Sequence, residues 1–172
     1  MELHMLSKKL ESLLNDQIST EARAANTYLA MASWTDIQGF SGIAKFLYHH
    51  SDEERVHMLK LFHFVNERGG HAIVPTLKAV PEAYKSIQDI FEHLLSHEIE
   101  VSQSINNLVD NALKGKDYPT VNFLQWYVEE QMEEERLACS VLDKLKLIGN
   151  DKGGLYLFDR DLGQIAEEGD KS

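Results

Sequence analysis

The stretch SDEERVHMLKLF, Ser51–Phe62, places Glu54 and His57 three residues apart. It holds neither proline nor glycine and is rich in Glu, Arg, Leu and Lys, so helix is its default conformation. On a helix Glu54 and His57 share one face, a turn apart. Counting outward by threes and fours, the same face collects Ile43, Leu47, His50, Leu61 and Phe64. A stripe of that period faces the interior of a helix bundle. It is apolar at both ends and interrupted in the middle by a carboxylate and an imidazole.

Three other segments repeat the pattern. One reads Leu10, Leu14, Gln17, Glu21, Ala24, Tyr28, Met31; another Ile87, Phe91, Leu94, Glu98, Val101, Ile105, Leu108. The last reads Leu124, Tyr127, Gln131, Glu134, Ala138, Val141, Leu145, Ile148. Each seam carries an acid near its middle. A single buried carboxylate is costly and usually avoids the cost by protonating. Four at one level would also repel one another. Cations remove both objections. Four glutamates and a histidine carry about four negative charges when ionised, which two divalent ions balance. Hard carboxylate oxygens with one imidazole suit iron or manganese. Glu54 is placed to bridge two ions. The chemistry suggested is oxidation of paired Fe(II) by dioxygen.

Taken singly, these residues say little. Glu-x-x-His on a charged helix is an ordinary solvated face, and EEQMEEER, Glu129–Arg136, an ordinary acidic run. Their shared register carries the argument. Tyr28 lies two turns from Glu21 on the same seam, a core position whose hydroxyl can reach a site ligand. His50 reads as a core or supporting group. His49, His63, His71, His93 and His97 read as surface residues, and Cys139 as a small buried one.

The chain is 172 residues long, with prolines only at 75, 81 and 119. The proline-free stretches predict helices over about 7–37, 42–68, 86–114 and 119–148, with a short fifth over 155–165. Pro119 suits a first helical turn. Short turns at GFSG and KGKDY make the first pair and the last pair antiparallel. About 17 irregular residues join the second and third helices, enough to run the bundle's length. The expected fold is all-α: one domain over 1–172, an antiparallel four-helix bundle with one long crossover between helices 2 and 3 and a short C-terminal fifth helix. A formal net charge of −11 argues against nucleic acid and suits cations. No apolar run approaches the ~20 residues of a membrane span. A single cysteine and an N-terminus without a signal-peptide core point to the cytoplasm.

At Gln17–Glu21, Glu53–His57, His97-Glu98 and YPTVNFLQWYVEEQMEEE from Tyr118, the chain resembles the non-haem bacterial and archaeal ferritins. The resemblance runs from Leu6 to about Leu162. It implies a ferroxidase that stores iron as ferric mineral inside a homo-oligomeric shell of ~24 subunits with closed symmetry. It implies one iron position on Glu21, Glu54 and His57, and a second on Glu54, Glu98 and Glu134 with Gln131 nearby. Tyr28 and Trp126 resemble aromatic residues lining that site. A third iron position would use Glu53, Glu130 and Glu133, sharing Glu134. Bacterioferritins differ: they carry a second Glu-x-x-His on the fourth helix and a methionine after the first motif's Glu. Here Gln131-Met132-Glu133-Glu134 and Arg55 stand at those places, so no haem is expected. Two other readings remain for the seams alone, a carboxylate-bridged oxygenase acting on an organic substrate and a non-catalytic scaffold bundle.

Overall fold

A computed structural model describes residues 5–169. These form five helices: α1 Lys8–Ile37, α2 Ser41–Glu67, α3 Ile87–Lys114, α4 Tyr118–Ile148 and α5 Lys152–Gly169. Local chemistry sets the starts. The Ser7 hydroxyl accepts from the Leu10 amide, Ser86 from Asp89, and the Asp117 carboxylate from Thr120. At the end of α2, Gly69 turns the chain with a φ of +75°, a conformation that costs glycine nothing.

The fifth helix is longer than its expected 155–165. Asp151 Oδ2 accepts from the Gly154 amide at 2.7 Å and starts the helix early, so Gly153 and Gly154 lie within its first turn rather than in a loop.

Hydrogen bonds fix the directions. The Leu6 amide donates to the Arg68 carbonyl, and the Asn15 side chain bonds the backbone of His71 and Ile73. The start of α1 therefore lies beside the end of α2, and the two are antiparallel. Arg68, just past α2, forks onto Asp117 at 3.1 Å, just before α4. The starts of α2 and α3 share one core cluster, so these helices are parallel and residues 68–86 cross the bundle's length. Helix α5 packs across the start of α2, where Gly42 and Gly163 let the backbones meet. A Cβ on Gly42 would stand 1.8 Å from the Asp159 carbonyl oxygen. Asp159 Oδ1 also accepts from the Ile43 amide at 2.8 Å. No helix among the described residues is long and apolar enough to cross a membrane.

The interior divides into two apolar clusters. One joins the end of α1, the starts of α2 and α3, the end of α4 and α5, around Tyr28, Phe46 and Phe91. The other joins the opposite ends around Leu14, Leu61, Ile105 and Tyr127. Glu21, Glu54, Glu98 and Glu134 fall between them along their helices.

Two expected positions differ. The second seam continues from Leu61 to Val65, which is fully buried, while Phe64 is half-buried and stacks on Phe123 at 3.8 Å. Cys139 is exposed. It follows the buried Ala138 and so turns away from the α4 seam.

Candidate metal centre

The four acids and one imidazole of the seams (Glu21, Glu54, Glu98 and Glu134 with His57) are between 0 and 7% exposed. The apolar ends of each seam hold these groups inside, because a helix cannot rotate one residue out without exposing the whole stripe.

Glu21, Glu54 and His57 converge, each offering a ligand atom within 4.8 Å of the others. His57 Nδ1 lies 3.5 Å from Glu54 Oε2. The Tyr127 hydroxyl donates to the His57 carbonyl at 2.7 Å, and the Trp126 ring meets the imidazole edge-on at 5.2 Å. Gln17 Nε2 donates to Glu21 Oε1 at 2.8 Å, and Ser104 donates to Gln17 in turn. This chain orients the Glu21 carboxyl and leaves its other oxygen free.

Glu98 is held differently. One oxygen accepts a short hydrogen bond from the Tyr28 hydroxyl, and the other accepts from Gln131 Nε2 at 3.0 Å. Gln131 thus acts on the cluster through Glu98. Glu134 Oε2 lies 3.2 Å from His50 Nε2.

Glu21 Oε2, Glu54 Oε2 and Glu134 Oε2 are buried without a hydrogen-bond partner. Native proteins rarely tolerate such atoms unless another ligand satisfies them. Burial drives the Glu21 carboxyl well above the ordinary carboxylate range, with neighbouring Glu54 adding to the rise. Burial lifts Glu54 to about 8, reinforced by Glu98 and Glu134. Burial lifts Glu98 to about 7 against the opposing pull of Tyr28 and Gln131. For Glu134 burial acts in the same sense, but the facing His50 outweighs it and the carboxyl is lowered. Glu21, Glu54 and Glu98 would have to give up protons before holding a cation, since ligation requires the deprotonated forms.

The carboxylates expected around a third ion share the lining of one pocket. Glu53 stands between His49, at 3.3 Å, and His50, at 3.6 Å. Glu130 turns toward His57 Nε2 at 3.9 Å. Glu133 is exposed and lines a pocket with Glu53, Glu130 and Glu134. What does converge there is His50, Glu53 and Glu134. His50 was legible as a stripe position between Leu47 and Glu54, but nothing along the chain paired it with α4.

His97 is not a surface residue. Its Nδ1 lies 3.4 Å from the Tyr28 hydroxyl, and its ring meets the Tyr28 ring edge-on at 5.8 Å. Burial, with Arg23 nearby, lowers its imidazole to about 4. Its place one residue before Glu98 hid this, because only packing against α1 brings Tyr28 across it.

The sequence profile of the ferritin-like domain matches residues 11–148. A probable bacterial non-heme ferritin-like protein of Haemophilus influenzae is 48% identical over 94% of this chain and 98% of its own. The bacterial non-heme ferritin of Campylobacter jejuni is 46% identical over 94% and 97%. An open-pore ferritin of Archaeoglobus fulgidus superposes with a TM-score of 0.90 at 41% identity, covering 92% of this chain and 96% of that one. With a bundle, a seam pattern and relatives that agree over nearly its whole length, the chain belongs to the ferritin family, among its non-haem members.

Proposed function

We propose that this protein stores iron, and that each subunit oxidises Fe(II) with dioxygen at the centre between its two core clusters. The observation that carries the reading is the set of three buried carboxylate oxygens without partners, on Glu21, Glu54 and Glu134. Three helices aim them into one polar layer.

In this reading Fe(II) is the substrate. Glu21 and His57 hold one ion, Glu98 and Glu134 the other, and Glu54 serves both. Gln17 and Ser104 orient Glu21. Tyr28 and Gln131 orient Glu98. Each arriving ion displaces protons that burial has kept on Glu21, Glu54 and Glu98. Each Fe(II) gives one electron to dioxygen, and ferric ion moves on as hydrous oxide. The acids Glu53, Glu130 and Glu133, beside the centre, receive it. The whole chain acts as one domain in the cytoplasm, and ~24 copies close into a shell around the mineral.

The test is anaerobic Fe(II) titration of the metal-free assembly, followed by oxygen. Two or three irons per chain should bind and then oxidise in a fast phase. Glu54→Ala combined with His57→Ala should abolish that phase. A fast phase that survives the double substitution places the chemistry elsewhere.

A further inference from the structure

The Tyr28 hydroxyl is buried and has one proton to give. It gives that proton to Glu98 Oε1, so toward any other neighbour its oxygen can only accept. The neighbour is His97, whose Nδ1 lies 3.4 Å from the same oxygen and whose ring meets the Tyr28 ring edge-on. Only the tautomer with its hydrogen on Nδ1 fits this arrangement. The other tautomer would draw the hydroxyl proton to Nδ1 and turn an oxygen lone pair toward the carboxylate. Nε2, on the far side of the imidazole, is buried without a hydrogen-bond partner. His97 and Arg23 line one pocket of 290 Å³ between α1, α3 and the crossover, together with Pro81 and Tyr84. A guanidinium there favours a lone pair on Nε2 over an N–H, which selects the same tautomer.

We infer that His97 is a positioning residue for the second metal position, its Nδ1–H fixing the direction in which the Tyr28 hydroxyl donates to Glu98. The inference rests on the iron reading above and deepens it. A metal takes Glu98 as a carboxylate, which accepts hydrogen bonds but cannot donate them. Gln131 Nε2 holds one of its oxygens at 3.0 Å, and Tyr28 governs the other. With the Tyr28 proton turned away, that oxygen would meet a lone pair and the carboxylate would lose its orientation. Groups that orient a ligand from behind commonly change metal affinity 10–100-fold. The effect is confined to one of the two ions, because Glu21, Glu54 and His57 converge on their own. The first position therefore fills independently of the His97 imidazole, and the second depends on it.

Co(II) is the probe, because its visible absorption reports ligation without redox chemistry. The metal-free assembly is titrated anaerobically, and the two tightest equivalents per chain are followed. Anomalous scattering from crystals assigns them to Glu21, Glu54 and His57 and to Glu98 and Glu134. His97→Phe keeps a flat ring beside Tyr28 and removes both nitrogens. It should leave the first equivalent unchanged and weaken the second roughly tenfold. His97→Gln restores an N–H donor and should recover most of the loss. Tyr28→Phe should weaken the second equivalent similarly. Adding His97→Phe to it should cost nothing more, because the two side chains act in series. A second equivalent untouched by His97→Phe, an equal fall in both equivalents, or a further loss in the double variant overturns this inference and leaves the iron reading standing. A parent that takes up no Co(II) overturns both.

Discussion

Replacing Glu54 with glutamine makes the carboxyl at the middle of the centre permanently neutral, and the effect on the metal-free protein depends on pH. Burial holds the Glu54 carboxyl at about 8 against its ordinary 4.5. The folded protein keeps that proton over a range in which the unfolded chain has lost it. The stability so contributed is fully present below pH 4.5 and is lost as pH rises through 8. At about 1.4 kcal/mol per pH unit, the loss between pH 5 and pH 9 comes to about 4 kcal/mol. Glutamine suffers no such loss. Between those pH values the melting temperature of Glu54→Gln should gain roughly 8–16 °C on that of the parent, at 2–4 °C per kcal/mol for a chain of this size. Glu21, which burial and then the Glu54 charge push upward, adds in the same direction. The assay is thermal unfolding of the metal-free assembly by circular dichroism, at one protein concentration, because association contributes to apparent stability. Anaerobic Fe(II) should raise the parent's melting temperature at pH 8 more than the variant's. A gap between parent and variant that stays flat, or narrows as pH rises, refutes the claim that a desolvated carboxyl waits here for a cation.

Three further substitutions probe the frame around the centre. Tyr28→Phe leaves a Glu98 oxygen buried without its donor and should cost the metal-free protein about 1–3 kcal/mol in chemical denaturation, less once Fe(II) is bound. Asp117→Ala removes the carboxylate on which the Arg68 guanidinium forks and uncaps α4, leaving Arg68 its bond to Thr120. A cost of about 1–3 kcal/mol is expected, read from the denaturation midpoint. Gly42→Ala drives a methyl group into the Asp159 carbonyl and should release α5 from α2. Limited proteolysis should then cut the 152–169 segment first while the four-helix bundle persists.

Helix periodicity made much of this legible from residue order alone. A face repeats every three or four residues, so Leu47, Glu54, His57 and Leu61 had to share one side of α2 wherever that helix was placed. Four such seams with acids at mid-length imply a bundle with a polar layer between apolar ends, and the two core clusters have that arrangement. Proline and glycine punctuation placed four helices to within a residue or so. It cut α5 short, because Asp151 starts the helix ahead of two glycines that locally read as loop. Phe64 and Val65 show another limit. Both fit the α2 period, and the choice between them depends on α4, where Phe123 offers Phe64 a ring to stack on.

Residue order thus determined which side chains leave water and that four carboxylates leave it together, since burial follows from a repeat confined to one helix. Tertiary structure decided which atoms meet. His50 and Glu134 are 84 positions apart in number and 3.2 Å apart in space. His97 stands against Tyr28, Glu130 turns toward His57, and Cys139 faces outward. Each depends on the rotation of one helix against another. That angle is set by how whole seams pack, and no local run of sequence encodes it.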